Sequence, residues 1–242
     1  MTMYWLDLTF STPHENLACD EVLLEMMEKG EGEEVLRFWE APAPFVVLGS
    51  SNSVVDEVHL EACRADGIPI LRRHSGGGTV LQEPGCLSYA LTLRIEPSRF
   101  TRTITETTYF VMQRHADALS ALLGTKVSIE GSSDLTIDGK KFSGNAQRRK
   151  LRALLFHGTF LLNADLSSIE RYLHMPARQP EYRQRRSHTE FLCNIACSAD
   201  AIKHALREAW NAAAELSPPL STHRVHALAQ TKYASDEWIW RR

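Results

Sequence analysis

The chain has 242 residues, 43% of them hydrophobic and 24% charged, with a formal net charge of -3, a globular balance with length enough for one large domain or two small ones. The small net charge argues against a dedicated nucleic-acid binder, and no run of about 18 apolar residues is available to cross a membrane. The opening MTMYWLDLTF lacks the basic head and long apolar core of a secretion signal, so the cytoplasm is the expected compartment. Cys19, Cys63, Cys86, Cys193 and Cys197 are scattered, without paired CxxC units. That argues against a structural zinc site and for small, reduced, buried thiols.

In chain order, Thr12, Pro13 and Glu15 spell a helix start, with Thr12 as N-cap and Glu15 completing a capping box. Leu17, Leu24 and Met27 then recur at helical spacing until Gly30. Residues 35–39 and 45–48 read as short strands, 56–65 as a helix closed by Gly67, and 68–72 as a strand. After Ser75-Gly76-Gly77-Gly78 a strand resumes over 79–81, and 87–95 alternates as a half-buried strand does. Residues 103–123 form a long helix ended by Gly124. Residues 134–143 read as a hairpin turning at Asp138-Gly139, and 153–162 as another strand. Ser198 caps an alanine-rich helix reaching about Leu216, broken by Pro218-Pro219. Neighbouring strands with few helices between them predict an α+β fold with mixed, largely antiparallel sheets flanked by helices, not a doubly wound one.

Three stretches carry chemistry. The first is LRRHSGGGTVLQEPGCLSYAL, Leu71 to Leu91. Consecutive glycines weaken the strands on either side, so bare backbone must serve a purpose there. Its N–H groups can approach an anion closely, and Arg72 and Arg73 can bind phosphate or carboxylate through planar forks. A glycine-rich connection beside two solvated arginines is the alternative. No GK[ST] follows the glycines and no GxGxxG opens a helix, so neither a Walker loop nor a dinucleotide fingerprint is present. The second stretch is DLTIDGKKFSGNAQRR, Asp134 to Arg149. Lys140 and Lys141 are adjacent on a strand, so one can face a site while the other faces water; a charged hairpin tip with both lysines solvated is the alternative. The third is LLFHGTFLL, Leu154 to Leu162, where His157 and Gly158 interrupt an apolar strand. A lone histidine in such a strand has a supporting role.

In this order and spacing the stretches resemble the lipoate–protein ligase A family within the wider biotin/lipoate ligase fold, which is class II aminoacyl-tRNA synthetase-like. NLACDEVLLE looks like the family's first helix and RFWEAPAPFVVLGSSN like its first strand pair. RRHSGGGTV is similar to the RRxSGGGxV signature, GKKFSGNAQRR to the GRKxSGxAxR hairpin, and FHGTFLLNADL to the HGTLLLNxDL strand. TKYASDEWIW resembles the closing KYxxxxW segment. The resemblance covers nearly the whole chain and implies a single catalytic domain over 1–242 without the C-terminal accessory domain common in such ligases. It implies a two-step reaction in which ATP activates lipoate to lipoyl-AMP and a lysine of a lipoyl carrier takes the acyl group. The carrier would be a lipoyl domain or a glycine-cleavage H-like protein, and a separate accessory subunit is a further expected partner. Arg72 and Arg73 would meet the nucleotide phosphate. Ser75, Gly76, Gly77, Gly78, Thr79, Val80 and Leu81 would line the acyl-adenylate channel, with Ser143, Gly144, Ala146, His157, Gly158 and Thr159 completing it. Lys141 would contact both acyl carbonyl and phosphate as the catalytic residue, a role that suits a compact point charge. ATP chemistry also implies Mg²⁺. Its ligands are not named by the sequence; Asp134 is one candidate, with a plain hairpin role as the alternative.

Beside the missing accessory domain, one departure from the family pattern matters. Where relatives carry DxGN after the glycines, this chain has Glu83-Pro84-Gly85-Cys86. Cys86 raises the rival reading, an acyltransferase that works through a cysteine thioester without ATP. The intact SGGG, and the lack of a cysteine in VSIEGSSDLTIDG, favour the ligase. RQPEYRQRRSHTEFL, Arg178 to Leu192, is basic and reads as a mobile loop over the adenylate, a docking patch for an acidic carrier, or a solvated loop. A non-catalytic protein on the same fold is a third class, opposed by Arg73, the glycines and Lys141. The GRGRxG signature of biotin ligases is missing.

Overall fold

The computed structural model describes residues 2–217 and 220–241. Its frame is an eight-stranded sheet in the order β11-β1-β2-β6-β10-β9-β8-β7. The strands are β1 (Met3–Asp7), β2 (Glu34–Glu40), β6 (Cys86–Arg94), β7 (Ser128–Glu130), β8 (Asp134–Ile137), β9 (Lys140–Arg149), β10 (Ala153–Leu161) and β11 (Ala214–Glu215). Only the β11–β1 and β1–β2 pairs are parallel; those from β2 through β7 are antiparallel. A three-stranded sheet of β3 (Phe45–Leu48), β4 (Ile70–Arg72) and β5 (Val80–Gln82), in the order β4-β3-β5, lies beside it.

Helix α1 (Pro13–Lys29) begins with the expected capping box, Thr12 and Glu15 each satisfying the other's backbone N–H, and ends at Gly30 in the left-handed conformation. It packs against β2, β6 and β10, where Leu24 and Met27 meet Ala90, Ala153 and Leu155, and its Leu17, Val22 and Leu23 share a cluster with Val35, Trp39, Val47 and Leu71. On the other face of the large sheet, α4 (Ile104–Leu123) and α7 (Ala199–Ala209) bury Val111, Met112, Leu119, Ile202 and Leu206 against Leu87, Tyr89, Leu91, Leu93, Phe156 and Phe160. The small sheet is backed by α2 (Val54–Glu57), α3 (Leu60–Asp66) and α5 (Leu166–Tyr172). Helices α6 (His188–Phe191), α8 (Thr222–Leu228) and α9 (Asp236–Ile239) are short. Among the described residues no helix is long and apolar enough to cross a membrane.

The architecture is the expected α+β one, and three local expectations change. The helix anticipated over 56–65 is two helices, α2 and α3, because Val58 between them bridges to Leu173. Strand β6 is buried on both faces rather than one, since it lies inside the sheet with helices on either side. Helix α7 stops at Ala209: Trp210 is drawn into the core and Asn211 turns through a positive φ of 52°. The chain then adds β11 to the sheet edge instead of continuing helically to Leu216. The Pro218-Pro219 break lies outside the described residues. Strand β1 was not anticipated.

Candidate functional site

The glycine stretch is a loop held from inside by Arg73. That guanidinium donates to Gly76 O at 2.7 Å, Gly78 O at 2.8 Å and Ser75 Oγ at 3.1 Å. Gly77 takes a φ of +93°, and a Cβ there would stand 2.9 Å from Arg73 Nη2. Glycine is thus required twice over, by the left-handed backbone and by the close approach. Ser75 Oγ lies 2.6 Å from His157 Nε2, which ties the loop to β10. Burial, then the charge of Arg73, holds His157 well below its ordinary value, so the ring is neutral. Burial lowers Arg73 to about 10, which leaves it charged at neutral pH.

Opposite the loop, the β8–β9 hairpin turns at Asp138 and Gly139, both at positive φ as its tight turn requires. Leu135 pairs with Ser143 but Thr136 with Lys141, so Phe142 is the extra residue of a bulge. The bulge re-aims Lys141 over Gly144, where a Cβ would stand 2.8 Å from Lys141 Nζ. Lys141 Nζ pairs with Asp134 Oδ1 at 2.8 Å, while Tyr182 donates its phenol proton to Asp134 Oδ2 at 2.7 Å. Lys140 faces solvent, the two-faced arrangement that adjacent strand residues impose.

Between loop and hairpin lies a cavity of about 330 Å³. Of the expected site residues, Arg73, Gly77, Gly78, Thr79, Val80, Leu81, Lys141, Ser143, Gly144, Ala146, His157, Gly158 and Thr159 line it. Ser75 and Gly76 do not line it; Ser75 Oγ is engaged with His157 and Arg73, and Gly76 O accepts from Arg73. Arg72 differs from the expectation: it is fully buried and directed away, its guanidinium spent on Ile239 O, Gly49 O and Asn52 O. Along an extended strand adjacent side chains take opposite sides, so Arg73 faces the cavity and Arg72 clamps α9.

The cavity also recruits residues that were not among the expected site residues. Leu17, Asp20, Trp39 and Val47 close one end; Gln82, Ser88, Tyr89 and Asn145 add polar groups; His174, Arg178, Pro180, Arg183, His188 and Phe191 supply a wall. Apart from His174, the wall comes from the basic 178–192 stretch, one of whose readings was a loop over the adenylate. A polar Ser88 in the mostly apolar first half of β6 was a weak signal for the floor. Asp20 is paired with the buried Arg37 at 2.5 Å. A larger groove of about 710 Å³ between α4 and α7 contains none of the expected site residues.

Cys86 does not line the cavity. It is 1% exposed, and burial pushes its thiol up to about 12, the reverse of what a thiolate nucleophile needs. Its neighbours build a turn instead: Glu83 accepts from Asp165 N at 2.7 Å, and Gly85 takes a φ of +91°. Among the described residues no three His, Cys, Asp or Glu converge on a metal position. Magnesium usually binds through one or two carboxylates plus substrate phosphates, and Asp134 is a carboxylate that faces the cavity.

The fold and this cavity define a class, that of α+β proteins with the lipoate-ligase architecture. The model of the lipoyl protein ligase A/B catalytic domain matches residues 12–210. The chain therefore belongs to the lipoyl protein ligase A/B family. It is 31% identical over 175 residues to the Mycoplasma pneumoniae protein named "Probable lipoate-protein ligase A", covering 72% of this chain and 50% of that one. This chain thus spans about half the length of that relative. It is 26% identical to octanoyltransferase LipM of Lysinibacillus sphaericus, over 100% of this chain and 99% of that one. Two solved structures share the fold. A lipoate-protein ligase A bound with ATP superposes with a TM-score of 0.80 at 23% identity, covering 99% of each chain. A bi-partite lipoate protein ligase from Thermoplasma acidophilum, described with its E2 lipoyl domain, gives 0.82 at 24%, covering 99% of this chain and 96% of that one.

Proposed function

We propose that this protein is an ATP-dependent lipoate–protein ligase that forms lipoyl-AMP and passes the lipoyl group to a lysine of a lipoyl domain. The observation that carries the reading is Lys141 Nζ, held over bare Gly144 on a bulged strand and facing Arg73 and the glycine loop across one cavity. Joining a carboxylate to a phosphate brings two anions together, and fixed cations with backbone donors stabilise the charge that develops. In the first step the lipoate carboxylate attacks the α-phosphorus of ATP, and the bond to pyrophosphate breaks. In this reading Lys141 holds the acyl carbonyl and the α-phosphate, while Arg73 sets the loop that faces them. In the second step the carrier lysine's amine attacks the acyl carbonyl, releasing AMP and a proton. Mg²⁺, held chiefly by the nucleotide's phosphates with Asp134 facing the cavity, would neutralise the pyrophosphate. The ATP-bound and lipoyl-domain neighbours support ATP and a lipoyl domain as partners. The reading places the enzyme in the cytoplasm and the catalytic domain over 1–242, with an accessory subunit as a further partner.

The end-to-end similarity to LipM favours a second reading, acyl transfer through a cysteine thioester. Against it, no cysteine lines the cavity among the described residues. Intact mass of a lipoyl domain incubated with the protein and lipoate, with and without ATP and Mg²⁺, separates the two. The expected product is one lipoyl group per carrier, formed only with ATP, and Cys86→Ser keeps most of the rate. Transfer from an acylated carrier without ATP, lost in Cys86→Ser, would overturn the ligase reading.

A further inference from the structure

The cavity floor is not the plain apolar surface that an alkyl chain would need. Gln82 is 5% exposed and Ser88 3%, yet both line the cavity together with Thr159. Gln82 Nε2 donates to Thr159 Oγ1 at 2.6 Å, and Ser88 Oγ donates to Gln82 Oε1 at 3.3 Å. This chain of contacts uses one N–H and one lone pair of the Gln82 amide, which has two of each. The second pair is left for whatever fills the space.

Register places this strip at a defined distance from Lys141. Thr159 pairs with Gly144 on one side and Ser88 on the other, and Ser88 pairs in turn with Trp39. Two interstrand steps of about 4.8 Å separate Gly144 from Ser88, roughly 10 Å in all. An eight-carbon acid has seven C–C bonds of about 1.5 Å, which as an extended zigzag reach about 9 Å. With its carboxyl group at Lys141, the far end of such an acid comes to Gln82 and Ser88.

We propose that Gln82, Ser88 and Thr159 read the distal end of the acyl chain and select a sulfur-bearing terminus over a plain alkyl terminus of the same length. The inference rests on the ligase reading above. A dithiolane offers sulfur lone pairs, weak acceptors, to the second N–H of Gln82 and to the hydroxyl proton of Thr159, whose oxygen accepts from Gln82, while Ser88 holds the amide in place. A methyl terminus pairs with none of these groups and leaves them dry and unmatched. A site with polar groups to satisfy discriminates more sharply than one that reads size alone.

The test is a competition in one tube: full chain, ATP, Mg²⁺, a lipoyl domain, and lipoate and octanoate in equal concentration, with the two products resolved by carrier mass. The expected result is about a tenfold preference for lipoate. Gln82→Leu and Ser88→Ala each reduce that preference at least threefold, through a lower KM for octanoate with little change in kcat. Gln82→Met, close in shape and lacking the amide, gives the same readout if Gln82→Leu does not fold. Transfer that proceeds with an unchanged lipoate-to-octanoate ratio in the variants overturns the inference alone. No ATP-dependent transfer of either acid by the unaltered chain overturns the ligase reading and this inference with it.

Discussion

The two faces of β6 and β10 meet opposite requirements. Toward α4 and α7 they present Leu87, Leu91, Leu93, Phe156 and Phe160, all 1% exposed or less. The other face carries Ser88 and Ala90 on β6 and His157 and Thr159 on β10, with the cavity over Ser88, His157 and Thr159. The first face is a packing problem, in which volume and apolarity decide the energy. The second is a recognition problem, in which particular atoms do. Substitutions on the two faces should therefore separate stability from activity.

The largest separation is expected from Lys141→Ala. Loss of the cation that faces the glycine loop should lower carrier acylation by roughly 10²–10³-fold, as removal of a transition-state charge partner does. Stability should change by no more than about 1 kcal/mol, because the Lys141–Asp134 pair is partly exposed (side chains 25% and 15%). Single-turnover rates and urea denaturation measure the two quantities. A large stability loss with activity retained would dissolve the contrast between the faces.

Leu91→Ala on the packed face should do the converse. The side chain is fully buried, and truncation to alanine should cost about 2–5 kcal/mol in equilibrium urea denaturation. Activity per folded molecule should stay near that of the unaltered chain. If kcat/KM falls in proportion to stability, the packed face also tunes the site.

The smallest of the three effects is a pH dependence that draws on both faces. Burial pushes His115, which accepts from Trp210 Nε1 at 2.9 Å, down to about 3, and holds His157 well below its ordinary value. Below about pH 6.5 the unfolded chain takes up protons at these positions that the folded chain refuses. Stability therefore falls as pH drops through that value, by up to about 1.4 kcal/mol per pH unit for each histidine. Urea midpoints at pH 7.5, 6.5 and 5.5 check the slope. His115→Gln, whose amide oxygen can still accept from Trp210, should remove up to one proton's share. An unchanged slope in that variant would show that His115 does not stay neutral in the folded chain.

Local chemistry made the strongest elements legible in advance. Thr12 and Glu15 cap α1 because their spacing satisfies orphan N–H groups without outside help. Asp138-Gly139 turns the hairpin because those residues tolerate the backbone required. The glycine loop and Lys141 were visible for the same reason: glycines in a row and adjacent strand lysines carry their meaning within a few residues. Features set by distant partners were not visible. Val58 leaves its helix for Leu173, α7 ends where Trp210 enters the core, and β1 and β11 pair across most of the chain. Arg72 was assigned to the site because sequence does not tell which of two neighbouring arginines faces inward.

By itself, then, the sequence determined the α+β class, the capped helices, the tight turn and the residue types that can meet an anion. These depend on interactions a few residues long, and such interactions survive in any fold. Tertiary structure alone decided that Arg73 props the loop while Arg72 clamps α9, that Cys86 is sealed away, and that Gln82, Ser88 and Thr159 share one floor. Each of those outcomes depends on which strands become neighbours and on the exact register between them, and a shift of one residue would turn every one of those side chains to the opposite face.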